Sequence, residues 1–214
     1  MKAYWVKSPR WLSFIFKKRI WHFSRTEKTI YLTFDDGPTP VSNFVLNQLE
    51  SYHAKATFFC IGANIDKHPK IFDTLIKKGH SIGNHTQHHL NGWNTSTSAY
   101  INEIDLAEKR ISKNALKSKI FRPPYGKCTK AQRKLIYDKG YKIIMWSVLS
   151  ADFDASISKE KCLTNVLKNT KNGSIVVFHD SEKAKEKLQF VLPKVLKHFS
   201  RQGYQFKGID SLTL

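Results

Sequence analysis

Two adjacent aspartates, Asp35 and Asp36, end an apolar run and are followed by Gly37-Pro38. Neighbouring carboxylates repel one another, so a fold that keeps both usually places a cation beside them. Further along, His85 and His89 offer two imidazoles four residues apart. In a helical turn that spacing puts both rings on one face, suited to grasping one divalent ion. With a strand-end Asp they form a two-His, one-carboxylate set that leaves positions open for water. One carboxylate then ligates while the other takes a proton from the metal-bound water, whose pKa such an ion lowers to about 7. His179 adds a titrating group for the leaving atom, and a backbone N–H can help the metal hold an oxyanion. This is the chemistry of metal-assisted amide or ester hydrolysis. His88 falls elsewhere on the turn and reads as structural, and His22, His53, His68, His80 and His198 read as ordinary.

Such residues need a scaffold that brings them together. Ile30, Leu32 and Phe34 alternate with Tyr31 and Thr33, a strand pattern ending at the Asp pair. Helical periodicity follows over 41–51, then an apolar strand over 56–61 and a helix over 66–78 stopped by Gly79. Further strands are expected at 80–84, 120–121, 141–149 and 174–178. Helices are expected at 98–116, 129–139, 158–169 and 182–200. Repeated strand-then-helix alternation argues a parallel sheet covered by helices. In that architecture the site lies at the C-terminal strand ends. Asp35-Asp36, the polar run after Ile82, Arg122, Asp152 and His179 each sit just past an expected strand, which gathers scattered polar residues into one candidate site.

Thr33-Phe34-Asp35-Asp36-Gly37-Pro38, His85-Thr86-x-x-His89, Arg122-x-Pro124-Tyr125-Gly126 and the strand ending at His179 resemble the polysaccharide deacetylases of carbohydrate esterase family 4. The likeness runs in order from about Ile30 to Tyr204. It implies a distorted (β/α) barrel that removes N-acetyl groups from N-acetylglucosamine-containing glycans such as peptidoglycan or chitin. It also implies Zn²⁺, or another divalent ion such as Co²⁺, held by Asp36, His85 and His89. Asp35 would be the catalytic base, paired with Arg122. The N–H of Tyr125 would support the oxyanion, and His179 would protonate the leaving amine. Pro124, Phe153 and Val177 belong to the motifs that line the substrate site.

The fourth motif departs from the family pattern Asp-x-x-Asp-Trp, reading Leu149-Ser150-Ala151-Asp152-Phe153. Leu149 stands where relatives carry the Asp that orients the acidic histidine. Losing that carboxylate is expected to lower the His179 pKa. Asp152, Asp154 or Asp180 could replace it, and Asp152 is favoured as the supporting residue.

The chain of 214 residues suits one sizeable domain, and its apolar share of 41% is that of a globular protein. Its net charge of +19 favours polyanions but is spread through the expected helices. No nucleic-acid motif accompanies it, so specific nucleic-acid binding is not expected. Three cysteines without metal-ligand spacing argue against a disulfide framework. Residues 1–27 read as a basic, aromatic amphipathic segment and 28–214 as a polysaccharide deacetylase (NodB-homology) catalytic domain. In the first segment Trp11, Leu12, Ile15, Phe16, Ile20 and Phe23 would share one helical face. That helix either lies on a membrane surface or covers one end of the domain, and the covering role is favoured. No cleavable signal is visible, so a cytoplasmic or membrane-associated location is expected, with the cell envelope and contact with an anionic polymer left open. A catalytically impaired glycan-binding homologue, or a deacetylase of another acetylated substrate, is the alternative function.

Overall fold

At the centre lies the strand Thr29–Asp35, in which every residue is buried. The structure is a computed structural model and describes residues 4–9, 11–112 and 119–209. Its strands are β1 (Arg19–Ile20), β2 (Thr29–Asp35), β3 (Thr57–Cys60), β4 (Ser81–Asn84), β5 (Ile120–Phe121), β6 (Lys142–Ile144), β7 (Val148–Leu149), β8 (Ile175–His179) and β9 (Gln205–Phe206). They form a sheet in the order β1-β6-β5-β4-β3-β2-β8-β7, with β9 also on β2, and every ladder is parallel. The helices are α1 (Trp11–Ile15), α2 (Pro40–Glu50), α3 (Gly62–Lys67), α4 (Pro69–Lys77), α5 (Thr97–Ser112), α6 (Lys130–Asp138), α7 (Lys159–Asn169) and α8 (Lys185–Arg201). This curled parallel sheet with its helices is the distorted (β/α) barrel that the family resemblance implies, and the parallel ladders are those that the alternation implies.

Strand periodicity sorts β2 into two faces. Ile30, Leu32 and Phe34 face outward into a core with Val45 and Leu49 of α2 and Leu188, Leu192 and Leu196 of α8. Tyr31 turns inward and packs with Phe59, Ile120, Ile144 and Ile175. Thr33 and Asp35 share Tyr31's parity, so the strand that builds the core also delivers a carboxylate to the barrel mouth. α2 begins on a capping box, with Thr39 accepting from the Ser42 backbone and the Ser42 side chain accepting from Thr39.

Three expected elements are redrawn. The helix over 66–78 is two, α3 and α4, because Pro69 has no N–H and bends His68 out of the helical region (φ −129°, ψ 52°). The strand over 141–149 is interrupted between β6 and β7, where the carbonyls of Ile144 and Met145 accept hydrogen bonds from the Arg122 side chain. The expected helix through Phe23 ends at Ile15, and Arg19–Ile20 instead pairs with Ile143–Ile144 as β1. Leu12 and Trp21 are buried there, whereas Trp11 and Ile15 stay exposed. The part of the expected helix beyond residue 112 lies outside the described residues.

The N-terminal segment crosses the seam between β6 and β7. Leu149 N–H donates to Val6 C=O, Ser8 N–H to Ser147 C=O, Met145 N–H to Ile20 C=O and Phe23 N–H to Gly173 C=O. Residues 4–9 and 19–23 are therefore woven into the wall of the barrel. No helix among the described residues is long and apolar enough to cross a membrane.

Candidate active site

Asp35 is the last residue of β2 and is almost fully buried. Arg122, immediately after β5, crosses the barrel interior to meet it: Nη1 donates to Asp35 Oδ1 and to Thr33 Oγ1, both at 2.7 Å. Its other nitrogens donate to Ile144 C=O at 3.2 Å and Met145 C=O at 2.9 Å, and its guanidinium carbon lies 4.1 Å from the Phe59 ring centre. A fully buried cation is tolerable only with its charge paired and its donors filled. Arg122→Met is accordingly expected to lower unfolding stability by about 3–5 kcal/mol, because it strands the Asp35 carboxylate in the interior. The guanidinium-chloride midpoint measures this, and a shift below about 1 kcal/mol would contradict the burial argument.

Asp36 turns the opposite way. Its φ of 79° lies in the left-handed region, and Asn64 Nδ2 donates to its carbonyl at 2.7 Å. The following turn is gripped by Asp180, whose carboxylate accepts from Gly37 N–H at 3.0 Å and from the Ser42 hydroxyl. Thr39 Oγ1 donates to the Asp180 carbonyl at 2.6 Å. A Cβ on Gly37 would stand 2.1 Å from Asp180 Oδ2, so the turn requires glycine. Burial pushes the Asp180 carboxyl up to about 7, against hydrogen bonds from Ser42 and Gly37 that favour its anion. The sequence reading considered Asp180 only as a partner for His179, and it did not find Asn64. The available signal for Asp180 was its place one residue past a strand end, on the opposite face from His179.

The histidines reach Asp36 by a different route from the one expected. His85 follows β4 directly, and residues 85–91 are loop instead of a helical turn. Thr86 (φ 67°) and His89 (φ 58°) both adopt left-handed backbone, and Asn84 Oδ1 steadies the bend by accepting from Thr86 N–H at 2.9 Å. The two rings end with centroids 5.0 Å apart. His85 Nδ1 donates to the Arg122 carbonyl at 2.7 Å, which leaves Nε2 as the free acceptor. Asp36 Oδ1 lies 3.8 Å from His85 Nε2 and 3.3 Å from His89 Nε2, and one ligand atom from each of the three residues lies within 4.8 Å of the others. Burial, then His89, push the His85 pKa down to about 3, and burial lowers that of His89. Two neutral imidazoles thus aim at one carboxylate oxygen that is buried without a hydrogen-bond partner. A cation between them would satisfy all three ligand atoms at once, so the residues fit a divalent ion. His88 turns away, with its backbone N–H donating to Glu103 Oε2 at 2.7 Å and its ring meeting Glu103 Oε1 at 3.0 Å.

His179, at the end of β8, forms the other wall. Its Nδ1 donates to Asp152 Oδ1 at 2.7 Å, and its backbone N–H donates to Asp152 Oδ2 at 2.8 Å. Burial alone would lower the His179 pKa. The fully buried Asp152 carboxylate outweighs it by charge and hydrogen bond, Asp36 and Asp35 add to this, and the result is a rise to about 9. The expected fall caused by Leu149 is therefore corrected, because Asp152 supplies the missing carboxylate. Leu149 is an apolar end of β7, and Asp154 is engaged instead by the Tyr4 hydroxyl at 2.7 Å. Phe153 packs edge-on against His179 at 5.0 Å between ring centres. Tyr125 (φ 58°) is exposed, with its ring 4.7 Å from that of His89, beside the buried Pro124. Val177 is fully buried one interior position below His179, a floor of the site instead of a surface for substrate.

The sequence profile described as polysaccharide deacetylase matches residues 23–144, more than half of the chain. The chain belongs to the polysaccharide deacetylase family. A peptidoglycan-N-acetylglucosamine deacetylase of Bacillus cereus is 36% identical over 194 residues, 90% of this chain and 91% of that one. Among solved polysaccharide deacetylases, a peptidoglycan N-acetylglucosamine deacetylase in complex with 4-naphthalen-1-yl-N-oxidanyl-benzamide superposes with a TM-score of 0.86 at 29% identity, covering 94% of this chain and 95% of that one. The Xyl-CE4 domain of a multidomain xylanase from the hindgut metagenome of Trinervitermes trinervoides gives 0.79 at 31% identity, covering 86% and 88%.

Proposed function

We propose that the protein is a metal-dependent hydrolase that removes N-acetyl groups from N-acetylglucosamine residues of peptidoglycan or chitin-type glycans. One observation carries this reading: the Asp36–His85–His89 donors lie between a carboxylate fixed by Arg122 and a histidine fixed by Asp152. Its relatives' names supply the substrate class. Asp36, His85 and His89 would hold Zn²⁺, or another divalent ion such as Co²⁺, whose chemistry there is to acidify a water and polarise the acetamide carbonyl.

The chain's own residues divide the remaining work. Asp35 Oδ removes the proton from the attacking water, and the Arg122 bond holds that carboxylate in place. The backbone N–H of Tyr125 donates to the developing oxyanion. His179 Nε2 delivers a proton to the sugar nitrogen as the C–N bond breaks, because Nδ1 is committed to Asp152. The products are acetate and a free amine on the glycan. The impaired-homologue reading rests on Leu149, and the Asp152–His179 bond supports the active reading over it.

His179 must be protonated to act, so activity falls as pH rises through its raised pKa. Asp152→Asn is expected to move the alkaline limb of the kcat/KM profile downward, with rate lost about tenfold per unit of pH above the new limb. An unmoved limb would show that another group supplies the proton. The same bond affects stability. A histidine raised above its unfolded pKa of about 6.5 stabilises the fold fully below that value. The contribution disappears as pH rises through about 9, and Asp152→Asn should flatten that slope in pH-dependent unfolding.

A further inference from the structure

Beside Tyr125 the surface opens into a cavity of about 740 Å³ between the N-terminal segment, the loop 125–129 and the start of α6. Its wall carries Arg19, Arg133 and Lys127, and among the described residues no acidic side chain lines it. Arg19 Nε is buried with no hydrogen-bond partner, and its guanidinium lies over the Phe16 ring at 4.4 Å. Arg133 Nη1 donates to the Cys128 carbonyl at 2.9 Å. Among the described residues neither arginine is ion-paired. Trp21 lines the same cavity, is 8% exposed, and has its indole N–H buried without a partner. Burial lowers the Arg19 pKa, and the nearby Arg133 charge pushes the same way. A partly buried guanidinium with an unfilled donor, facing a second cation and no anion, is an unfavourable arrangement that a bound anion relieves.

The remaining wall suits a sugar. Trp5 and Trp93 present large exposed rings, and Lys127 Nζ lies 4.8 Å from the Trp93 ring centre. Exposed aromatic faces give pyranose rings apolar area at small entropic cost. Tyr125 belongs both to this cavity and to the reaction site, since its ring touches that of His89. A glycan whose acetamide lies at Asp36 can therefore extend past Tyr125 into the cavity.

We propose that this cavity is a subsite for a carboxylate-bearing group carried by the sugar next to the one being deacetylated, held by Arg19 and Arg133 with the aromatic rings beside it. This rests on the deacetylase reading and adds a preference for acidic over neutral glycans. The spread charge of +19 attracts any anion, but only a built site discriminates by position.

The test is binding to the full chain treated with chelator, followed by intrinsic tryptophan fluorescence. Three probes share one disaccharide of N-acetylglucosamine and N-acetylmuramic acid: with the lactyl carboxylate free, with it capped as a neutral amide, and with it joined to a peptide that bears its own carboxylates. At least one acidic probe should bind about tenfold tighter than the amide, and which one does so identifies the source of the carboxylate. Arg133→Gln should abolish that preference. Lys134→Gln, the same charge change on an exposed neighbouring residue, should retain it. The far-UV circular dichroism and thermal unfolding midpoint of Arg133→Gln should match those of wild type, which shows that the variant is folded. Equal binding of all three probes to the wild type overturns the proposal, as does equal loss of preference in both variants. Failure of the metal-loaded wild type to deacetylate neutral oligomers would instead contradict the deacetylase reading, and the probe comparison still decides the subsite.

Discussion

Asp35→Asn is expected to lower kcat by about 10²–10⁴-fold, or roughly 3–5 kcal/mol of transition-state stabilisation, with little change in KM. The amide preserves the shape of the side chain and an oxygen for Arg122 Nη1, so the site keeps its geometry. What it loses is the basicity that takes a proton from water. Asp36 is untouched, so divalent-ion affinity should remain within a few-fold of wild type. These two readouts separate the roles of the neighbouring carboxylates. A variant that retains activity within tenfold would show that Asp35 serves only as the buried partner of Arg122. A parallel collapse of ion affinity would place Asp35 among the ligands.

His85→Ala should produce the converse pattern. It removes one of three convergent donors and frees the Arg122 carbonyl that orients the ring. Altering a residue that merely orients a metal ligand commonly costs 10–100-fold in affinity, so deleting a ligand itself should cost about 100-fold or more. Titration calorimetry with Zn²⁺ measures this without any substrate. Thermal unfolding offers a second reading, because an ion at a hundred times its Kd stabilises the native state by about 2.7 kcal/mol. Wild type should gain that stability and lose it to chelator, while His85→Ala should gain almost none. Undiminished Zn²⁺ binding in the variant would remove His85 from the centre.

Much of this was legible in the sequence where local pattern and strand parity agree. Period-two alternation from Ile30 to Phe34, followed by Asp-Asp-Gly-Pro, specifies both the strand and the residues at its end. His85, Arg122, Asp152 and His179 are found just past or at the ends of other parallel strands, so one architectural rule gathered them. What stayed hidden depends on partners distant in sequence. Ile20 fits a helical stripe, and only the pairing of Arg19–Ile20 with Ile143–Ile144 makes it part of a strand. The four-residue spacing of His85 and His89 matches a helix, yet left-handed backbone at Thr86 and His89 brings the rings together in a loop. Non-glycine residues in that region are set by tertiary restraint, here the Asn84 side chain and the Glu103 grip on His88. Asp152 could be named from its motif, but its two-point hold on His179 requires the register of β7 against β8.

The central claim is tested most directly by acetate released from N-acetylglucosamine-containing glycan strands, counted against new free amines. Peptidoglycan, chitin oligomers and acetylated xylan should be compared using protein that is chelated, reloaded with Zn²⁺, or carries Asp35→Asn. One acetate per amine from an amino-sugar glycan is expected, lost on chelation, restored by the ion and nearly absent in the variant. Zinc-replete wild type that releases no acetate from any of the three glycans would contradict it.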